Sequence, residues 1–475
     1  MIRKPAVAGK FYDGDAAALK TEVSGYLKGG VSPAGRLAGI LAPHAGYSYS
    51  GAAAGKAFAA IGDADIDTLV IMATGHTMAL RGGALLSGGS FETPLGLVGI
   101  DEEFCAQLLK EKKLFEDSPR AHAGEHAVEV QLPFLQRLKG DKVKIVPVLF
   151  NTSDDELLEA AGRAIGRAMK GRRALFCVSS DLSHYPPGGV AERSDRSVLL
   201  ALRQAMRNAS PSYFGLANRL LLAKTEGDLD TTACGQAAMT AGAAAALELG
   251  ANDFELAVYT HSGKVSGDDS AVVGYGAGFY TEASPRPAGA LELPAEMKKE
   301  LLALARGSIS ACLKSGRTPS QPLSPRPEFN QPAAVFVTLN IGGRLRGCIG
   351  SLEPRGTLSD MVAAYAGAAA FEDPRFSPLT AAELARTEIE ISVLSPLKRA
   401  SHEEIKPGVH GVYAVSGRRS GTYLPQVWEH FDRKEDFLDS LCEEKAGLAA
   451  GAWKEKSTVL YTYTVDHFSE PDFGS

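Results

Sequence analysis

Leu69-Val-Ile-Met-Ala-Thr-Gly-His76 is an unbroken apolar run that ends in glycine and then an imidazole. A run this short reads as a strand buried on both faces, the kind found inside a parallel sheet covered by helices. The same pattern recurs twice: Gly39-Ile-Leu-Ala-Pro precedes His44, and Leu175-Phe-Cys-Val-Ser-Ser precedes Asp181 and His184. Helical patterns at 50–61, 126–138, 154–170 and 191–207 alternate with strand patterns at 38–41, 68–73, 143–150 and 174–179. That rhythm specifies an α/β fold, a sandwich or open sheet. Reactive groups in such a sheet collect in the crevice at the carboxyl ends of the strands. Three strands are therefore expected to deliver imidazole or carboxylate to one edge.

Outward from these runs, the chain is long enough for more than one core. At about 150 residues per domain, 475 residues imply two to four domains. The prolines and small residues of Thr281-Glu-Ala-Ser-Pro-Arg-Pro-Ala-Gly-Ala290 read as a linker. A helix follows from about Pro294, with Met297, Leu301, Leu304, Ala305, Ile309 and Cys312 on one stripe. Beyond it, strands at 334–340, 387–394 and 456–464 lie among irregular segments, an α+β pattern. The expected division is a domain at 1–281, a linker at 282–294 and a second domain at 295–475.

The net charge of −6 offers no general attraction for nucleic acid or an anionic membrane. Six cysteines are scattered singly, three on each side of residue 285 and without a C-x-x-C pair. That usage argues against a disulfide framework and for a reducing compartment, so a cytoplasmic location is expected. Lys10, Asp13 and Asp15 interrupt the apolar core that a signal peptide would need, and the alanine-rich 239–247 stretch is too short to span a bilayer.

Cys234 follows Asp230-Thr-Thr-Ala and opens a helix at 235–247, for which Thr231 or Thr232 is the expected N-cap. A thiol at a helix N-terminus is expected to have a lowered pKa, which favours thiolate for attack or metal ligation; burial as a small core residue is the competing reading. Cys177 and Cys105 read as core. Glu125, His126 and Glu129 are expected on one helix, as supports that orient a ligand imidazole or as a surface ion cluster. In the second domain, strand alternation puts Arg346 and Cys348 on one face, where Cys348 reads equally as a reactive thiol or as a small buried residue.

Five separate motifs then carry a resemblance. Pro5-Ala-Val-Ala-Gly-Lys-Phe-Tyr12, Ala42-Pro-His-Ala-Gly-Tyr-Ser-Tyr-Ser-Gly51, Gly124-Glu-His-Ala-Val-Glu-Val-Gln-Leu-Pro133, Val178-Ser-Ser-Asp-Leu-Ser-His184 and Cys234-Gly235 resemble the Memo family in order across 1–280. The resemblance implies a fold similar to class III extradiol dioxygenases and a mononuclear metal held by two histidines and a cysteine. Carried onto this chain, those ligands are His44, His76 and Cys234, with Asp181 and His184 close by as the residues that handle protons. A thiolate in place of the third, carboxylate ligand of non-haem iron dioxygenases means that ring cleavage does not follow. Two imidazoles and a thiolate suit iron or copper for redox chemistry, or zinc for hydrolysis; His184 would act as acid or base with Asp181 setting its tautomer.

Leu345-Arg-Gly-Cys-Ile-Gly350, Ala370-Phe-Glu-Asp-Pro-Arg-Phe-Ser-Pro-Leu379, Glu388-Ile-Glu-Ile-Ser-Val-Leu394 and Phe437-Leu-Asp-Ser-Leu-Cys442 resemble the AMMECR family across about 295–475. Prokaryotic relatives of both families resemble parts of a three-component system, AmmeMemoRadiSam, whose third member is a radical S-adenosylmethionine enzyme. No C-x-x-x-C-x-x-C motif occurs here, so that enzyme would be a separate polypeptide. The leading expectation is a metal-dependent redox or dioxygenase-like protein acting on a small molecule or peptide. The alternative is an adaptor whose degenerate enzyme pocket binds a peptide or protein. Both depend on whether His44, His76 and Cys234 converge within a coordination sphere, of order 4 to 5 Å across for bonds near 2 Å.

Overall fold

The computed structural model describes residues 1–225, 229–284, 291 and 293–474. The chain forms two compact units, Met1–Arg286 with Pro325–Pro327 and Pro287–Ser324 with Glu328–Ser475. Of the segment read as a linker, 285–290 and 292 lie outside the described residues.

Four parallel strands make the centre of the first unit: β1 (Arg36–Ala42), β2 (Thr68–Thr74), β3 (Lys144–Phe150) and β4 (Ala174–Ser179), side by side as β1-β4-β2-β3. Antiparallel β5 (Asp253–His261) and β6 (Gly274–Glu282) extend the sheet beyond β1, and the short strands Gly83–Leu85 and Phe115–Asp117 extend it beyond β3. Every residue of β2 is buried, as its unbroken apolar run requires of a strand covered on both faces. Ser179 is in register with both Ala42 and Ala73, so β1, β2 and β4 end level on one edge of the sheet.

Helices α1 (Tyr47–Ala59), α2 (Asp155–Met169), α3 (Gly188–Arg207) and α4 (Gln236–Glu248) belong to this unit. The alanine-rich stretch is α4, buried throughout 238–246 because its small side chains admit close neighbours. Gly162 of α2 sets that approach: a Cβ there would lie 2.1 Å from the Ala241 carbonyl oxygen, which is backbone and cannot turn aside. Gly162→Ala is expected to destabilise the first unit by about 1–3 kcal/mol; an unchanged urea midpoint would contradict this packing. Among the described residues, no helix is long and apolar enough to cross a membrane.

The helix expected at 126–138 begins later. Residues 125–126 are irregular, 127–128 form a turn, Glu129–Gln131 a single 3₁₀ turn, and the α-helix runs only over Leu132–Lys139. The Glu125 carboxylate accepts from the backbone N–H groups of His126 and Ala127, which holds the chain in a turn in place of a helical start.

In the second unit, β7 (Ala334–Ile341), β8 (Arg344–Gly350), β9 (Thr387–Leu394) and β10 (Val465–Ser469) form an antiparallel sheet ordered β8-β7-β9-β10. Helices α5 (Ala295–Ser315) and α6 (Leu358–Phe371) bury Leu301, Ala305, Ile309, Val362 and Ala366 in one core with Val335, Val337, Ile389 and Ile391. The strand expected at 456–464 is Val459–Tyr463, in a second four-stranded sheet, and β10 of the first sheet follows it. The smaller sheet has its own core, in which Trp428 and Phe437 stack at 3.6 Å.

Candidate metal centre

His44 follows β1, His76 follows β2, and Asp181 and His184 follow β4, all at the level edge created by parallel pairing. Cys234 arrives just before α4, where Gly235 is the N-cap without a side-chain hydrogen bond. Neither threonine caps the helix as expected. Thr231 Oγ1 accepts from Ala233 N–H, and the Thr232 hydroxyl bonds Asn218. Gly235 has no room for a side chain, since a Cβ would lie 2.6 Å from Ser180 Cβ; its N–H instead donates to Ser180 Oγ at 2.9 Å.

One donor atom from each of His44, His76 and Cys234 lies within 4.8 Å of the others, a group that can hold a metal ion. Cys234 Sγ is 3.1 Å from His44 Nε2, and the His44 and His76 rings meet edge to face with centroids 5.2 Å apart. Hydrogen bonds behind the rings set the tautomer of each. Ser179 Oγ gives its one proton to Ala127 O and accepts from Gln131 Nε2, so towards His44 Nδ1, at 3.1 Å, it acts as acceptor. His44 thus carries its proton on Nδ1 and turns the Nε2 lone pair to the sulfur. Glu125 does the same for His76: Oε1 takes the Nδ1 proton at 3.0 Å while Oε2 accepts the backbone N–H at 2.7 Å. Metal-binding histidines are oriented by such acceptors.

Burial pushes the His44 pKa well below its ordinary value, with neighbouring His126 and His76 adding to the effect, so the ring is neutral as ligation requires. Burial also pushes Glu125 upward, but hydrogen bonds from His76 and Ala127 outweigh it and hold the carboxyl at about 2. The Cys234 thiol runs against expectation. Burial first, and then the Asp181 carboxylate beside it, raise its pKa. A bound cation supplies the opposite charge that a thiolate needs there, so the donor set and its electrostatics fit a metal.

Asp181 and His184 are also placed differently from expectation. Asp181, pushed up to about 7 by burial, accepts from the backbone N–H groups of His44 and Ala45 and so positions the ligand loop. His184 is pinned by its backbone to Thr231 and Val273, and its Nε2 is buried with no hydrogen-bond partner among the described residues. Sequence reading missed Ser179 and Gln131, although both lie inside the quoted motifs, because their role depends on which atoms cross the strand edge. It missed Asp195 too, which takes the Ser183 N–H at 3.0 Å and the Tyr259 hydroxyl at 2.9 Å and so steadies the loop that carries His184.

Glu125, His126 and Glu129 part company. His126 stacks on His76 at 4.8 Å and meets His44 edge to face at 5.4 Å, so it belongs to the site. Glu129, fully buried, turns away to an ion pair with Arg3 and accepts from Ala6 N–H, Val7 N–H and the Tyr12 hydroxyl. Arg3 also donates to the His122 and Glu125 carbonyl oxygens. The N-terminal motif is thus a latch on the segment that carries Glu125 and His126.

Residues 3–279 match the model of Memo-like protein, and residues 302–468 match AMMECR1. The chain belongs to the Memo family. Among its Memo relatives, a MEMO1 family protein of Methanothermobacter thermautotrophicus is 36% identical over 286 residues, 58% of this chain and 99% of the relative. Another, from Methanococcoides burtonii, is 37% identical over 278 residues, 58% of this chain and 98% of the relative. A solved structure of an uncharacterized Pyrococcus horikoshii protein is similar at 35% identity over 38% of this chain and 93% of its own, with a TM-score of 0.35.

This Memo family chain also brings two AMMECR motifs together. Asp373 accepts the Cys348 N–H at 2.8 Å and is bidentate with Arg375, whose guanidinium also reaches Cys348 O. Thr338 Oγ1 lies 3.3 Å from Cys348 Sγ. Arg346, expected beside the thiol, instead pairs with Glu383 and Ser377 O, and Arg375 is the guanidinium at Cys348.

Proposed function

We propose that this chain is a metal-dependent redox protein, dioxygenase-like in fold, that binds one iron or copper ion through His44, His76 and Cys234, with zinc as the redox-inert substitute. The observation that carries the reading is the convergence of two imidazoles and a sulfur within 4.8 Å at the ends of two strands and the start of a helix. A bound iron or copper ion would supply one-electron chemistry, and three protein ligands leave a position for a small-molecule or peptide substrate.

The chain's own residues do the rest. Ser179 and Glu125 keep the ligand imidazoles in their Nδ1–H tautomers, and Asp181 holds the loop of His44 through backbone N–H groups. His184, whose buried Nε2 has no hydrogen-bond partner among the described residues, is available to take or give a proton, and Asp181, poised near 7, is a second such group. Residues 1–281 form the metal-binding domain in this reading and 295–475 the AMMECR-like partner domain, joined by 282–294. The cytoplasm and a separate radical S-adenosylmethionine enzyme complete it, on family association.

Anaerobic purification followed by metal analysis and oxygen uptake tests the proposal. Supplied with Cu(I), the parental chain is expected to hold about one ion and His44→Ala less than a tenth of that. Equal copper content in the two proteins would sink the reading.

A further inference from the structure

His76 faces a second set of donors. The Nδ1 atoms of His76 and His126 lie 3.0 and 3.3 Å from one oxygen, Glu125 Oε1. One donor atom from each of the three residues lies within 4.8 Å of the others. With bonds near 2.1 Å, the edge of a tetrahedral coordination shell is about 3.4 Å, so both distances are already close to those of a shell. The carboxylate is nearly inaccessible, with 1% of its side chain exposed, and the amides of His126 and Ala127 fix Oε1 at 2.8 and 3.0 Å.

We propose that the chain has two overlapping cation positions, one on His44, His76 and Cys234 and one on His76, Glu125 and His126, and that occupation of either excludes the other. This rests on the metal-binding reading of His76 and extends it. A neutral imidazole has one lone pair. With its proton on Nδ1, His76 gives that proton to Glu125 and offers Nε2 to the thiolate triad. With the proton moved to Nε2, it offers Nδ1 to the carboxylate triad, and the hydrogen bond to Glu125 is replaced by a shared ion. No electron moves in this exchange; one proton changes nitrogen on each ring that binds through Nδ1.

Donor chemistry assigns the occupants. Two imidazoles and a thiolate suit softer ions such as Cu(I) or Cd(II), whereas two histidines and a carboxylate suit a harder ion such as Mn(II). The same pocket would therefore sort ions by position, and Glu125 would be an orienting acceptor in one state and a ligand in the other.

The test uses the full-length Cys234→Ala chain, titrated without oxygen with Co(II) and Mn(II). It is expected to bind one equivalent of cobalt with nitrogen and oxygen donors only, by X-ray absorption, and without a sulfur charge-transfer band. Adding His126→Gln, or Glu125→Gln if that variant does not fold, should weaken binding at least about tenfold. In the chain that keeps Cys234, Cd(II) should show thiolate absorption. The proposal is overturned if Cys234→Ala binds neither ion, or if its affinity is indifferent to His126 and Glu125. Missing thiolate absorption in the parental chain would count against the first triad alone, so the two readings fail separately.

Discussion

His76→Ala is expected to lower the affinity for every first-row transition ion by at least about 100-fold, the largest effect of any single substitution at the site. His76 is the only residue shared by both donor triads, so its loss leaves neither with three ligands. Removing a group that merely supports a ligand already costs about 10–100-fold in affinity, and removal of the ligand itself costs no less. The fold should hardly notice, because a third of the side chain is exposed and its neighbours keep their backbone bonds. The measurement is a competition titration against a chromophoric chelator, with far-ultraviolet circular dichroism as the control. Retention of parental affinity in a folded variant would remove His76 from the centre and both triads with it.

The second large effect is expected at two residues that are not themselves ligands. Arg3 and Glu129 form an ion pair with side chains 3% and 0% exposed, and breaking such a pair leaves an uncompensated buried charge. Arg3→Ala should cost the first unit about 3–5 kcal/mol. Glu129→Ala should cost a similar amount, since it also strips the acceptor from Ala6 N–H, Val7 N–H and the Tyr12 hydroxyl. Because the two residues share one network, the double variant should lose less than the sum of the singles. Denaturant unfolding checks the energies. Metal titration checks the coupling, since a loosened latch frees the 122–131 segment and with it Glu125 and His126. Additive losses, or a shift under 1 kcal/mol, would contradict the network.

Much of this was legible before the coordinates. A buried parallel strand must be apolar at every position, so β2 announced itself, and parallel neighbours put His44, His76 and His184 on one edge without further information. Cys177 and Cys105 are buried as their patterns implied. The readings that failed depended on competition between alternatives that are local in sequence but decided in space. Glu125 satisfies its own following amides and ends the helix pattern before it starts. Cys234 comes just before a helix N-terminus, yet it is buried beside Asp181, and spacing along the chain cannot foresee either burial or that neighbour. Arg346 finds Glu383, 37 residues away, before it can face a thiol two positions along its own strand.

By itself the sequence determined the layered α/β architecture, the edge on which chemistry collects and the residue types available there, because strand periodicity and chain direction are local properties of the backbone. Only the tertiary structure decided which nitrogen of each imidazole is free, that Glu125 and Glu129 face opposite tasks, and that the first dozen residues brace the centre. Those outcomes turn on hydrogen bonds between residues 48 to 135 positions apart, and no local pattern encodes which of several donors arrives first at a given oxygen.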